Sequence, residues 1–311
     1  MRSANHKEME MALTALTFLL DGESVAVFMM GVKYLLTHHK PQVRKKAVCV
    51  VDKMLDLDIT YLEDFKDSIL KCFNDTDPSV MGATLNLYYK LITKDPSPYK
   101  GIVPSVVCIL KQIQGHRLER EYDYHGIPAP WMQMKCLQIL ALLGAGDEAS
   151  SKEMYEIIGT TLQQQPVNQS LIYQCILTII TIHPNPTLLN LASQHINNFL
   201  AAPSHDHKYI ALKTLKEMAK KHLPLVVGYL KEVVGCVHCE DDAIRKKMVE
   251  VLLAMANSDT VSAIIDVLVA NLDRNMRNEI IQSLTQIAQD TPHNQWFIQS
   301  INSAILSDTL Y

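Results

Sequence analysis

Apolar residues recur at three- and four-residue spacings along nearly the whole chain. Leu13, Leu16 and Leu20, followed by Val27, Met30 and Tyr34, show the pattern, which is the spacing that turns one helix face toward a core. The interruptions are short: His39-Lys40-Pro41, Asn74-Asp75-Thr76-Asp77-Pro78, His183-Pro184-Asn185-Pro186 and Ala202-Pro203-Ser204. Asp, Asn and Ser there can cap the helix that follows, and proline suits a first helical turn, where its missing N–H costs little. No stretch alternates apolar and polar residues over a useful strand length. The predicted fold class is all-α.

The helices repeat. A cap, an apolar anchor, a polar pair and two core residues can be traced from Pro41-Gln42-Val43 onward. The anchors at 43, 80, 132, 171, 207, 244 and 276 lie 37, 52, 39, 36, 37 and 32 residues apart. Spacings clustered near 37 predict a HEAT/armadillo-like right-handed α-solenoid of about eight helix pairs. His6 lies 37 residues before Val43, so the chain is expected to open inside a repeat, at its second helix. Met9, Met11 and Leu13 are then expected to face the place of a preceding neighbour.

The 52-residue spacing marks an excursion from the stack, Gly115 to Trp131, with glycines, prolines and tyrosines that cannot continue a helix. Inserted loops in solenoids often carry function or subunit contacts. The plainer expectation is that Tyr122, Tyr124 and Trp131 pin the loop to its groove. A buried indole at this junction predicts that Trp131→Ala costs about 3–5 kcal/mol.

Composition narrows the function classes. With 29 Lys and Arg against 33 Asp and Glu, the net charge is −4, which disfavours general nucleic-acid binding. Seven cysteines sit in apolar stretches such as Ala47-Val48-Cys49-Val50, the usage expected of reduced thiols in a cytosolic protein. The longest apolar run, Leu171 to Ile182, is too short and too polar to span a bilayer. No apolar leader is read at the N-terminus. Cys236-Val237-His238-Cys239 lacks the second pair a structural zinc needs, so it reads as a turn with a buried Cys236. Arg44-Lys45-Lys46 and Arg245-Lys246-Lys247 read as solvated helix faces. The cluster His195, His205 and His207 reads as surface and capping residues. No phosphate-binding, dinucleotide, zinc-protease or nucleophile-elbow motif occurs, and no catalytic, cofactor-binding or metal-binding residue is assigned.

The stretch Tyr122-Asp-Tyr124-His-Gly-Ile-Pro128-Ala-Pro130-Trp131, running on to Gly144, resembles the signature of the large adaptins: an aromatic-rich loop entering a Pro-Trp helix. Asp75 to Val80, His207 to Lys213 and Ala243 to Lys247 are similar to further parts of that family, and Asn294-Gln-Trp296-Phe297-Ile-Gln299 to its trunk-end helix. The flanks are most like the epsilon class of the fourth adaptor-protein complex. Departures are Asp242, where the family usually has proline, and Cys239 in the same turn. The resemblance implies that residues 1–311 form one adaptin trunk solenoid, with the first trunk helices, hinge and ear missing. It implies a non-catalytic scaffold of a heterotetrameric vesicle coat, partnered by a beta-type large adaptin and by medium (mu) and small (sigma) subunits. An Arf-type GTPase would recruit the complex to trans-Golgi network membranes, where it would sort transmembrane cargo. Tyr122, Tyr124, Pro128, Pro130 and Trp131, with Trp296 and Phe297, are the family-signature positions and the candidates for structural or subunit contact. The rival readings are another HEAT-type scaffold, serving nuclear transport or a phosphatase, and an enzyme with a dispersed site.

Overall fold

The computed structural model describes residues 5–164, 168–257 and 260–270. Among them run fourteen α-helices: α1 (His6–Leu19), α2 (Val25–Leu35), α3 (Pro41–Leu57), α4 (Leu62–Phe73), α5 (Pro78–Lys94), α6 (Val103–Gln114), α7 (Pro130–Gly144), α8 (Glu148–Leu162), α9 (Gln169–Thr181), α10 (Pro186–Ala201), α11 (His205–Val227), α12 (Leu230–Val234), α13 (Asp242–Met255) and α14 (Val261–Ala270). The anchors at 43, 80, 132, 171, 207 and 244 fall in the first turns of α3, α5, α7, α9, α11 and α13. The anchor at 276 and the pair Trp296 and Phe297 lie outside the described residues.

The chain divides into two compact units: residues 1–174 with 181–183, and residues 175–180 with 184–311. In the first unit α1, α3, α5 and α7 form one layer, each packed on the next, while α2, α4 and α6 each pack on the helix that follows them. Phe65, Phe73, Leu85, Leu110 and Leu137 are fully enclosed between them. In the second unit α11 packs on α13, with α10 against α11 and α12 against α13. Within α11, His222 leaves helical geometry (φ −130°, ψ 43°) ahead of Pro224, whose ring and missing N–H disrupt the preceding turn.

The capping chemistry follows the sequence. Pro41, Pro78, Pro130 and Pro186 stand in first helical turns. Asp77, Asp147 and Asn185 accept from the backbone N–H groups of Ser79, Ser150 and Leu188. At the α7–α8 turn Gly146 has φ +70°, a left-handed value that glycine adopts without strain. Gly144 is required for a different reason: a Cβ there would lie 2.7 Å from Ile182 Cγ2.

Two expectations are corrected. Met9 and Leu13 face no empty neighbour, because both are buried where α1 packs on α3. Only Met11 points out, since two residues along a helix rotate the side chain by about 200°. The first basic triplet is also no simple solvated face: Arg44 Nε and Nη2 donate to both carboxylate oxygens of Asp75 at 2.7 Å, and its Nη1 donates to the His38 carbonyl at 2.7 Å. The second opens likewise with an internal pairing, Arg245 to Asp242.

A candidate partner-contact surface around the 115–131 loop

The excursion from the stack is built as a short hairpin. After α6, a single 3-10 turn at Arg120–Tyr122 leads into β1 (Asp123–Tyr124) and β2 (Ile127–Pro128). They pair antiparallel, with Asp123 opposite Pro128 and Tyr124 opposite Ile127. His125 and Gly126 both have positive φ (50° and 79°), as a two-residue hairpin turn matching the strand twist requires. Ala129 follows in the left-handed region (φ 36°, ψ 57°), a conformation costly for a residue with a Cβ. The loop therefore needs strong anchors.

Those anchors are mostly backbone and buried. The Ala129 N–H donates to the Tyr122 carbonyl at 3.0 Å, closing the hairpin, and the Gln133 N–H donates to the Ala129 carbonyl at 3.1 Å. Gln133, enclosed on α7, donates through Nε2 to the Pro128 carbonyl at 2.7 Å. Ile127, Pro128, Ala129 and Pro130 are all buried. Pro128 and Pro130 thus hold the loop in place. Gln133 was missed by the site assignment, although its signal is visible: a polar residue one helical turn past Pro130, on the face that carries Cys136, Leu137 and Leu140 inward.

The aromatic residues separate into two roles. Tyr122 is half-buried and lines the same groove as Ser79 of α5, and burial raises its phenol pKa. Tyr124 and Trp131 are instead 50% and 59% exposed and meet edge to face, with ring centroids 4.8 Å apart. The buried indole is therefore corrected: Pro130 enters the core as N1 of α7, and Trp131, one position (about 100°) further round the helix, is turned outward.

Trp131 and Tyr122 stand at one side of a groove of about 750 Å³ along α3, α5 and α7. Its floor is low because Ser79, Gly82 and Ala83 of α5 are small, and Met132 and Met134 of α7 add adaptable apolar surface. Lys45 and Lys135 supply positive charge. The Lys135 ammonium sits 4.0 Å from the Tyr89 ring centroid, and burial lowers its pKa. Such a groove can hold an apolar protein surface and select against a basic one.

The other residues singled out in the sequence are accounted for by packing. Cys236 is buried in a 3-10 turn, its thiol directed at the Glu232 carbonyl 3.7 Å away and its pKa raised by burial. His207 stacks on Phe199 at 5.5 Å, and His205 lies 3.6 Å from Asp241. Among the described residues no group of three His, Cys, Asp or Glu is placed to hold a metal ion, and no helix is long and apolar enough to cross a membrane.

Comparison with known proteins agrees with this architecture. The AP-4 complex subunit epsilon of Arabidopsis thaliana is 34% identical over 97% of this chain and 33% of its own length. The human AP-4 complex subunit epsilon-1 is 30% identical over 97% of this chain and 27% of its own length. The AP-1 complex subunit gamma of Dictyostelium discoideum is 24% identical over 87% of the chain, so the epsilon class is the better match. The chain spans about a third of the length of the curated relatives it matches. In three dimensions a homology model of the full-length AP-3 complex in an intermediate open conformation superposes with a TM-score of 0.62, at 17% identity, over 96% of this chain and 55% of that one. With the helix stack, that likeness establishes a HEAT/armadillo-like α-solenoid. Residues 1–307 match the family described as the adaptin N terminal region, and the chain belongs to that family.

Proposed function

We propose that the chain is the scaffold subunit of a heterotetrameric vesicle-coat adaptor complex in intracellular protein transport, and that residues 1–311 act as a single adaptin trunk. It works by holding other proteins, without catalysis of its own. Its partners are a beta-type large adaptin and medium and small adaptor subunits. The complex is recruited by an Arf-type GTPase to trans-Golgi network membranes, where it sorts transmembrane cargo and remains peripheral. The observation that carries this reading is the family match along nearly the entire chain, and it is joined by a loop whose anchors are buried while Tyr124 and Trp131 face outward. A rigidly held exposed aromatic pair beside an apolar groove suits a subunit contact, where aromatic residues concentrate binding energy.

The test is affinity purification of the tagged chain from its own cells, with the co-purifying proteins identified. Comparable amounts of beta, mu and sigma adaptor subunits would support the reading, and Trp131→Ala should lower their recovery while the chain stays folded. Recovery of a nuclear-transport or phosphatase set instead would overturn it.

A further inference from the structure

The repeat register exposes a second surface. A shift of 37 residues carries α2 onto α4: Val32, Leu35 and Leu36 fall on Ile69, Cys72 and Phe73, and all six are buried. With the same shift, Val27, Met30 and Tyr34 fall on Asp64, Asp67 and Lys71, which are exposed. The outer face of α4 is therefore charged where that of α2 is apolar, and Val27, Met30 and Tyr34 are 72–76% exposed. Leu19, at 77% exposure, replaces Asp56 of the next repeat in the same way. These positions stay open in α4, which has helices on either side of it in sequence, so continuing the stack would not cover them. Met11 and Phe18 differ, because they correspond to the buried Val48 and Leu55, and the inference does not use them.

The face is also self-complementary in charge. Glu23 lies in the turn that precedes α2, and Lys33 lies in the helix's last turn. Both are exposed, and neither forms an ion pair among the described residues. Turning a second α2 antiparallel about an axis between Val27 and Met30 places each Val27 against the partner's Met30 by register. The C-terminal turn of each α2, with Lys33 and Tyr34, then lies at the end of the partner helix that the Glu23 turn precedes. The small residues Ala26 and Gly31 flank the stripe and allow close approach. We infer that this face is a two-fold docking surface whose occupant is α2 of a second copy of this chain.

A contact built on one helix face is smaller than the roughly 800 Å² per partner of a standard interface, so the dimer should be reversible, half-formed at about 10–100 µM. The inference is independent of the adaptor reading, since any scaffold with this face would pair in the same way. Sedimentation velocity on the full chain, from about 2 to 200 µM, tests it. The expected result is a concentration-dependent rise toward twice the monomer mass, abolished by Met30→Lys. Glu23→Lys and Lys33→Glu should each weaken association about tenfold, and combining them should restore it, because a symmetric contact re-pairs when both signs are exchanged. This charge-exchange set decides the question even if Met30→Lys disturbs folding. A monomer at every concentration would overturn the inference. So would association indifferent to Met30→Lys in a folded variant, or a double charge variant no tighter than the singles.

Discussion

The two connections that flank α5 and α6 solve one problem by different means. Each must end a helix and start the next with proline in its first turn, at Pro78 and Pro130. The turn at 74–77 is four residues long and is held by charge: Arg44 grips Asp75, Asp75 accepts from the Asp77 N–H at 2.9 Å, and Asp77 caps α5 through Ser79. The excursion at 115–129 is held by backbone bonds, a buried glutamine and apolar packing, with three non-glycine residues at positive φ. A charge clamp fixes the stack while presenting nothing unusual to solvent. The hairpin carries strain and is pinned from beneath, which leaves its aromatic edge free. One connection serves the fold, and the other spends its rigidity on a surface.

Breaking each connection at its anchor sharpens the contrast. The largest effect is expected for Arg44→Met, about 3 kcal/mol by urea denaturation, because it strands the largely enclosed Asp75 carboxylate. If the loss is below about 1 kcal/mol, the pair acts as an ordinary surface bridge. Gln133→Ala should cost about 2 kcal/mol by leaving the Pro128 carbonyl without its donor. Gln133→Met should recover part of that loss, since it refills the space and removes the buried Oε1, which has no partner. Asp77→Ala removes a cap and should cost about 1 kcal/mol in the same assay. Smallest is Trp131→Ala, expected below about 1 kcal/mol for an exposed ring. A loss near 3 kcal/mol would return the indole to the core and remove it from the contact surface.

Much of this was legible in the chain. The anchor spacing located six helix starts among the described residues, and Asp77 and Asn185 were readable as caps because capping is local. The irregular interval correctly singled out the loop. Two things were not legible. The partner of Arg44 lies 31 residues away, and only the stacking of neighbouring repeats brings Asp75 within reach. The direction of Trp131 depended on which of two adjacent residues enters the core, and an aromatic beside a proline does not reveal that.

By itself the sequence determined the helical class, the period of the stack and the family signature, since each rests on local propensity and on spacings that recur along the chain. Only the tertiary structure decided which signature residues support and which present. Burial is a property of neighbouring helices, and their contact turns Pro128, Pro130 and Gln133 inward while leaving Tyr124 and Trp131 at the surface. The apolar face of α2 belongs to the same category. Val27, Met30 and Tyr34 read in sequence as one more core stripe, and only the packing of α2 shows that the stripe points away from the core.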